Sequence, residues 1–302
     1  MPESPHPTGS TRPCGRVAAF PIGLGGMRLS IEGRPDRPQA VATVHAALDA
    51  GVTLLDSASA YHVGADEVGH NEVLFADALD SWTGDTSRIT VATKAGRVRP
   101  GDGRWLTDSS PDHLVRSAHE SLARLRADRL DLFFLHAPDP EVPLKESLAA
   151  LRRLVDDAVV AEVGVSNVTA PQLDLAQDVL GDALVAVQNE FSPSALQHLD
   201  VLRRSEQLGL AFLAWRPLGT IGRKDDTLTA AFTDVARAHG ASPQAAVLAW
   251  LLAVSPAMIP IPGARRPHTA RDSAAAAHLQ LSPGALHTLD TATGLAAPPP
   301  AG

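Results

Sequence analysis

VTLLD, residues 52–56, is four apolar or β-branched residues closed by one carboxylate, Asp56. Two further runs have the same form. ITVATK, residues 89–94, ends in the amine of Lys94, and LDLFFLH, residues 130–136, ends in the imidazole of His136. Continuous apolar runs of this length suit strands buried on both faces of a parallel sheet. Five more runs extend the series: IGLGGM at 22–27, VVAEVGVSN at 159–167, LVAVQ at 184–188, LAFLAW at 210–215 and MIPIP at 258–262.

Helix signals fill the intervals. SSPDHLVRSAHESLARL, residues 109–125, offers Ser110 as N-cap, Pro111 at the first helical position and Asp112 in the first turn. Thr169 with Pro171, and Ser242 with Pro243, repeat that arrangement. Residues 37–51 end in Gly51, a natural residue just past a helix end. Leu144, Leu148, Leu151 and Leu154 form a helix-period stripe. Eight strand-then-helix units predict an α/β fold, a single-domain (β/α)8 TIM barrel. A doubly wound open sheet is the alternative, but IGLGG lacks the GxGxxG spacing expected after its first strand.

The barrel is expected over residues 16–295. Residues 1–15, rich in Pro, Ser and Thr, read as a disordered tail, and residues 296–302 as a second, short one. Cys14, the single cysteine, falls in the first tail, so no intramolecular disulfide framework is expected. The formal charge of -8 argues against general nucleic-acid binding. No apolar stretch is long enough for a membrane span, and residues 1–15 lack the apolar core of a signal peptide. A cytoplasmic location follows by default, with the chain a monomer or weak homo-oligomer.

In such barrels chemistry sits at the C-terminal ends of the strands. Asp56, Lys94, His136, Ser166, Asn167, Gln188 and Trp215 all fall there and would share one mouth. The chain's single tyrosine, Tyr61, lies five residues after Asp56. A phenol, with an ordinary pKa of about 10, becomes a useful acid only beside a cation or a buried partner.

At these residues the sequence resembles the aldo-keto reductase superfamily, from about Val17 to about Leu295. Residues 54–79 look like the family's segment carrying a catalytic Asp and Tyr. VATKAG is similar to its Lys segment and DLFFLHAPDP to its His segment. GVSN and VQNEFS resemble its nicotinamide-binding segments. AWRPLG resembles the turn after strand seven, and residues 261–276 the adenine-phosphate segment. The resemblance implies reduction of a small carbonyl substrate with NADPH as cofactor (NADP+ when spent), and no metal. Tyr61 would be the general acid, with Lys94 beside it lowering its pKa. Asp56 would hold Lys94, and His136 would polarise the substrate oxygen. Ser166, Asn167 and Gln188 are implied to grip the nicotinamide carboxamide, and Asp56, Gly26 and Met27 to contact the cofactor. Trp215 would stack on that ring, and Arg216, Pro217 and Leu218 would follow it. Gly263, Arg265, Arg266 and Asp272 are implied at the adenine end, the arginine pair suiting a 2′-phosphate. Met27, His62 and Trp105 are expected at the substrate, although Trp105 reads equally as an anchor for the loop 96–110. Trp82 reads as an anchor.

Three other readings compete. His62, Asp66, Glu67 and His70 cluster as conceivable metal ligands, but no HExxH-like spacing is present. The barrel could be an NADPH-binding sensor with little turnover. It could also act on a specialised acceptor: a sugar nucleotide, pyridoxal or a biosynthetic intermediate.

Overall fold

A computed structural model describes residues 11–219, 221 and 227–295. Eight parallel strands run in sequence order around one sheet. They are β1 (Leu24–Gly25), β2 (Leu54–Asp56), β3 (Thr90–Ala95) and β4 (Leu130–Leu135), then β5 (Val160–Ser166), β6 (Leu184–Glu190), β7 (Ala211–Trp215) and β8 (Met258–Pro260). A parallel bridge between Gly25 and Gly263 joins the first strand to the last. Gly23 N–H donates to the Pro260 carbonyl at 2.9 Å and Gly25 N–H to the Pro262 carbonyl at 3.0 Å. The sheet therefore closes into the expected barrel, which leaves no exposed edge.

Small residues make the closure possible. A Cβ on Gly25 would stand 2.7 Å from the Ile261 carbonyl oxygen, which is backbone and cannot swing aside. Gly164 serves Phe134 in the same way: a Cβ there would meet the ring at 2.2 Å. Phe134 fills the barrel interior with Leu54, Ala92, Leu132, Leu213 and Ile259.

The helices α1 (Arg37–Asp49), α2 (His70–Ser81), α3 (Pro111–Leu125), α4 (Leu144–Asp156), α5 (Ala170–Leu180) and α6 (Leu199–Leu208) follow the first six strands. α7 (Thr227–Ala238) and α8 (Pro243–Val254) lie between β7 and β8, and α9 (Pro267–Ala275) and α10 (Pro283–Thr293) close the chain. Thr169 forms a full capping box with Gln172, and Ser242 caps the Ala245 N–H at 3.0 Å. Ser110 sits at the N-cap position of α3 but makes no cap bond, because its hydroxyl donates to Asp108 at 2.6 Å. Leu148, Leu151 and Leu154 are buried as their spacing requires. Trp82 anchors α2, its indole donating to Asp49 at 2.8 Å.

The tail boundary needs correction. Residues 1–10 and 296–302 lie outside the described residues. Arg12–Cys14, however, forms an antiparallel hairpin with Val17–Ala19, turning at Gly15. Cys14 and Ala19 pack into the interior cluster of the barrel. The Arg12 guanidinium is buried and donates to the carbonyls of Leu252 and Ser255 at 2.7 and 2.5 Å. Composition marked this segment as tail, but Cys14 faces the barrel interior while Arg12 is buried against the C-terminal end of α8. Cys14 is no flexible thiol: burial, with Glu162 nearby, pushes its pKa to about 12. Such a thiol is inert rather than nucleophilic.

Candidate active site

Parallel register sets the first three groups side by side. Gly25 pairs with Asp56, Asp56 with Ala92, and Lys94 with Phe134, two residues before His136. The Lys94 ammonium donates to Asp56 Oδ1 at 2.6 Å and to the Ser57 carbonyl at 2.7 Å. Gln188, on β6, donates its Nε2 to the same Asp56 oxygen at 2.7 Å. Asp56 thus ties strands from opposite sides of the mouth. Lys94 has no exposed surface at all. Its Nζ lies 5.1 Å from the centroid of the Tyr61 ring.

Tyr61, His136 and Trp105 form a triangle of edge-to-face rings, with centroids 5.9, 6.4 and 6.5 Å apart. Trp105 comes from a short hairpin, Arg97–Val98 paired with Leu106–Thr107, that stands over this side of the mouth. The Arg99 guanidinium lies 4.8 Å from the Trp105 ring centroid. Trp105 is therefore both wall and anchor.

These groups open on a cleft of about 440 Å³. Met27, Asp56, Tyr61, Trp105, His136, Ser166, Asn167, Gln188, Trp215, Arg216 and Gly263 line it, as expected. Arg28, Ile31, Arg97 and Ile261 also line it and were not foreseen, because none carries a motif signal of its own. His62 does not line it. Its ring is buried, with Nδ1 against the Gly64 carbonyl at 2.7 Å, so the expected substrate contact is withdrawn. The conceivable metal set is also dispersed. Glu67 pairs with Arg34 at 2.7 Å, and His70 meets the Ser30 hydroxyl at 2.9 Å.

Gly26, Pro217, Leu218, Arg265, Arg266 and Asp272 stand outside the cleft wall. Gly26 is wedged against Asn71 and Phe75, and Leu218 packs on the apolar core. Asp272 accepts the Ser242 hydroxyl at 2.7 Å, which commits one of its oxygens to the start of α8. Arg265 and Arg266 are exposed at the turn between β8 and α9. The Arg216 guanidinium faces Glu190 at 3.4 Å.

One electrostatic expectation is reversed. The Tyr61 pKa is not lowered on balance. Burial and the Asp56 charge hold the phenol well above its usual pKa. Burial is the larger cause and the Asp56 charge the second; together they outweigh the pull of Lys94, itself paired with Asp56 at 2.6 Å. Burial pulls the Lys94 pKa below its ordinary value, against the bond to Asp56. Burial, then the charges of Lys94 and Arg97, push His136 well below the usual imidazole range. At neutral pH the site holds a protonated phenol beside a neutral imidazole.

The free polar groups suit a carboxamide on a flat ring. Asn167 adopts the left-handed region, φ +59°, and its Nδ2 donates to the His136 carbonyl at 2.8 Å. That turn leaves Asn167 Oδ1, and likewise Gln188 Oε1, without a donor among the described residues. Trp215 Nε1 and His136 Nδ1 are buried yet unpartnered. Buried orphans of this kind are uncommon; two of the three among the described residues lie in the cleft wall, the third being Arg99 Nε outside it.

The model of the aldo/keto reductase family matches residues 21–293. The chain belongs to the aldo/keto reductase family. Among characterised members it is 35% identical over 264 residues to 6-dehydroglucose reductase of Novosphingobium aromaticivorans, covering 83% of this chain and 84% of that one. It is 32% identical over 282 residues to pyridoxine 4-dehydrogenase of Escherichia coli, covering 89% and 93%. A thermostable aldo-keto reductase solved with the inhibitor epalrestat superposes with a TM-score of 0.78 at 26% identity, over 93% of this chain and 99% of that one. The glycerol dehydrogenase of Gluconobacter oxydans gives 0.78 at 25% identity, over 98% of each. This aldo/keto reductase is therefore an oxidoreductase of a carbonyl-reducing family. Among its described residues no helix is long and apolar enough to cross a membrane.

Proposed function

We propose that this aldo/keto reductase reduces an aldehyde or ketone with NADPH, using Tyr61 as the proton donor. One observation carries the reading: the buried Lys94–Asp56 pair lies under a phenol that shares the cleft with His136. When bound, a reduced nicotinamide supplies the hydride. The chain's own residues do the rest. Asn167, Gln188 and Ser166 would hold the carboxamide, and Trp215 would cover the ring. Tyr61 and His136 converge on the position where carbonyl oxygen gains negative charge. Donors placed there stabilise the developing oxyanion. Tyr61 then gives up its proton to that oxygen. Lys94, held by Asp56 and the Ser57 carbonyl, is positioned to steady the phenolate left behind.

The test is NADPH consumption, followed at its near-ultraviolet absorbance, against a panel of aldehydes, ketones and dicarbonyls. Absence of turnover with the whole panel, together with tight NADPH binding, would favour the sensor reading instead. Pyridoxal belongs in the panel because one relative is named for pyridoxine oxidation.

The raised Tyr61 pKa and depressed His136 pKa set an expected pH profile. Reduction needs the phenol protonated and, in this scheme, the imidazole neutral. Tyr61 stays protonated up to and beyond the ordinary tyrosine range near pH 10. His136 stays neutral down to well below the ordinary value of about 6.5. The kcat/KM for reduction should therefore lack a limb from either group between those values. Alcohol oxidation, which needs the phenolate, should rise with pH. A reduction profile that falls through neutral pH by titration of Tyr61 would contradict the geometry.

Arg265 and Arg266 support NADPH over NADH. Both guanidiniums are exposed after β8 and have no ion-pair partner among the described residues. Charge-assisted contacts to a 2′-phosphate should make NADPH bind roughly 10-fold or more tighter than NADH. Arg265→Ala should narrow that difference. Fluorescence titration of the protein with each cofactor measures it, and equal affinities in the wild type would remove the role given to Arg265.

A further inference from the structure

Resting on the carbonyl-reductase reading, we propose that the substrate carries an anionic group, a carboxylate or phosphate, and that Arg97 receives it. Arg97 lines the cleft together with Tyr61, Trp105 and His136. Other arginines on this side of the mouth are engaged. Arg99 pairs with Glu32, Arg104 with Asp102 at 2.7 Å, and Arg34 with Glu67 at 2.7 Å. The Arg97 guanidinium has no hydrogen bond or ion pair among the described residues. The one carboxylate in the cleft wall, Asp56, is already committed to Lys94 and Gln188. A half-buried guanidinium facing a cleft with no free acid is a waiting anion partner.

The backbone holds Arg97 in this place. Gly96 has φ +109°, which only glycine adopts without strain, and it turns the chain out of β3. The Asp108 N–H donates to the Gly96 carbonyl at 3.0 Å, and Arg97 pairs with Thr107 across the short hairpin. The Arg97 backbone is thereby held at the edge of the cleft, while its side chain stays free to meet a ligand.

Barrel order separates Arg97 from the cofactor's side. Ser166, Gln188, Trp215 and Gly263 line the wall from β5 round to β8. Arg28, the other cleft arginine without a partner among the described residues, lies on that side, because a Cβ on Gly263 would stand 3.0 Å from its Cγ. Arg97 follows β3, across the mouth. With the carbonyl at Tyr61 and His136, a short chain would bring its anionic end to Arg97 and its apolar middle against Trp105.

The experiment compares matched substrates with the NADPH-loaded enzyme: succinic semialdehyde against butanal, and glyceraldehyde phosphate against glyceraldehyde. The readout is the ratio of kcat/KM for the anionic member to that for its neutral partner. The ratio should favour the anion in the wild type. It should fall about 10- to 100-fold in Arg97→Met, the loss expected for one charge-assisted contact, and be partly regained in Arg97→Lys. The pair that responds identifies the anion. NADPH affinity of Arg97→Met, read by fluorescence titration, reports on folding and should match the wild type. An unchanged ratio in Arg97→Met overturns the proposal. So does a loss confined to NADPH affinity, which would move Arg97 to the cofactor. Failure of the wild type to reduce any of the four aldehydes would instead sink the carbonyl-reductase reading on which the proposal rests.

Discussion

Replacing Tyr61 with phenylalanine is expected to lower kcat for aldehyde reduction by about 100- to 10,000-fold, the usual contribution of a positioned general acid. The change removes one oxygen and leaves the ring. That ring is nearly buried and touches His136 and Trp105 edge-on, so packing is retained. NADPH affinity should hardly move, since the phenol lies on the substrate side. The deficit should therefore appear in kcat at saturating cofactor. The chain contains no second tyrosine to take over the proton. Steady-state kinetics on the best aldehyde of the panel would measure it, and full activity in this variant would overturn the assignment of Tyr61.

Lys94→Met is expected to act on two levels. Lys94 is wholly buried, and it is the cation that balances Asp56. Removing one partner strands the other charge in a poorly solvated site. Breaking a buried pair in this way typically costs about 3–5 kcal/mol. Urea unfolding should show a loss of that order. Reduction should also collapse, because nothing remains to steady the Tyr61 phenolate. The double variant Asp56→Asn with Lys94→Met separates the levels. With both charges gone, stability should largely return while activity stays lost. Stability of the single variant equal to that of the wild type would mean the pair is not the buried ion pair its geometry describes.

Much of the fold was legible because its signals are local. All eight runs named from sequence became barrel strands, since a strand covered on both faces must be continuously apolar. Prolines and cap residues placed the starts of α5 and α8 for the same reason. The N-terminal hairpin was not legible. Pro and Ser content suggested a tail, and only the open end of the barrel gives Arg12 and Cys14 somewhere to be buried. The site divides along the same line. Asp56, Lys94 and His136 announced themselves as ionisable residues ending apolar runs. Arg97 had no such mark, one arginine among several in a polar loop. His62 had the mark of proximity to Tyr61, yet its ring turned to the Gly64 carbonyl.

Strand-helix alternation is written along the chain, and with it the meeting of Asp56, Lys94, His136, Ser166, Asn167, Gln188 and Trp215 at one barrel mouth. Spacing alone dictates that, because each follows or ends a parallel strand. How those groups act on one another depends on the folded packing. Burial, and then the Asp56 charge, raise the phenol whose pKa Lys94 was expected to lower, while Lys94 itself is held 2.6 Å from Asp56. Charge and burial depend on distances across strands, and no stretch of sequence carries those distances.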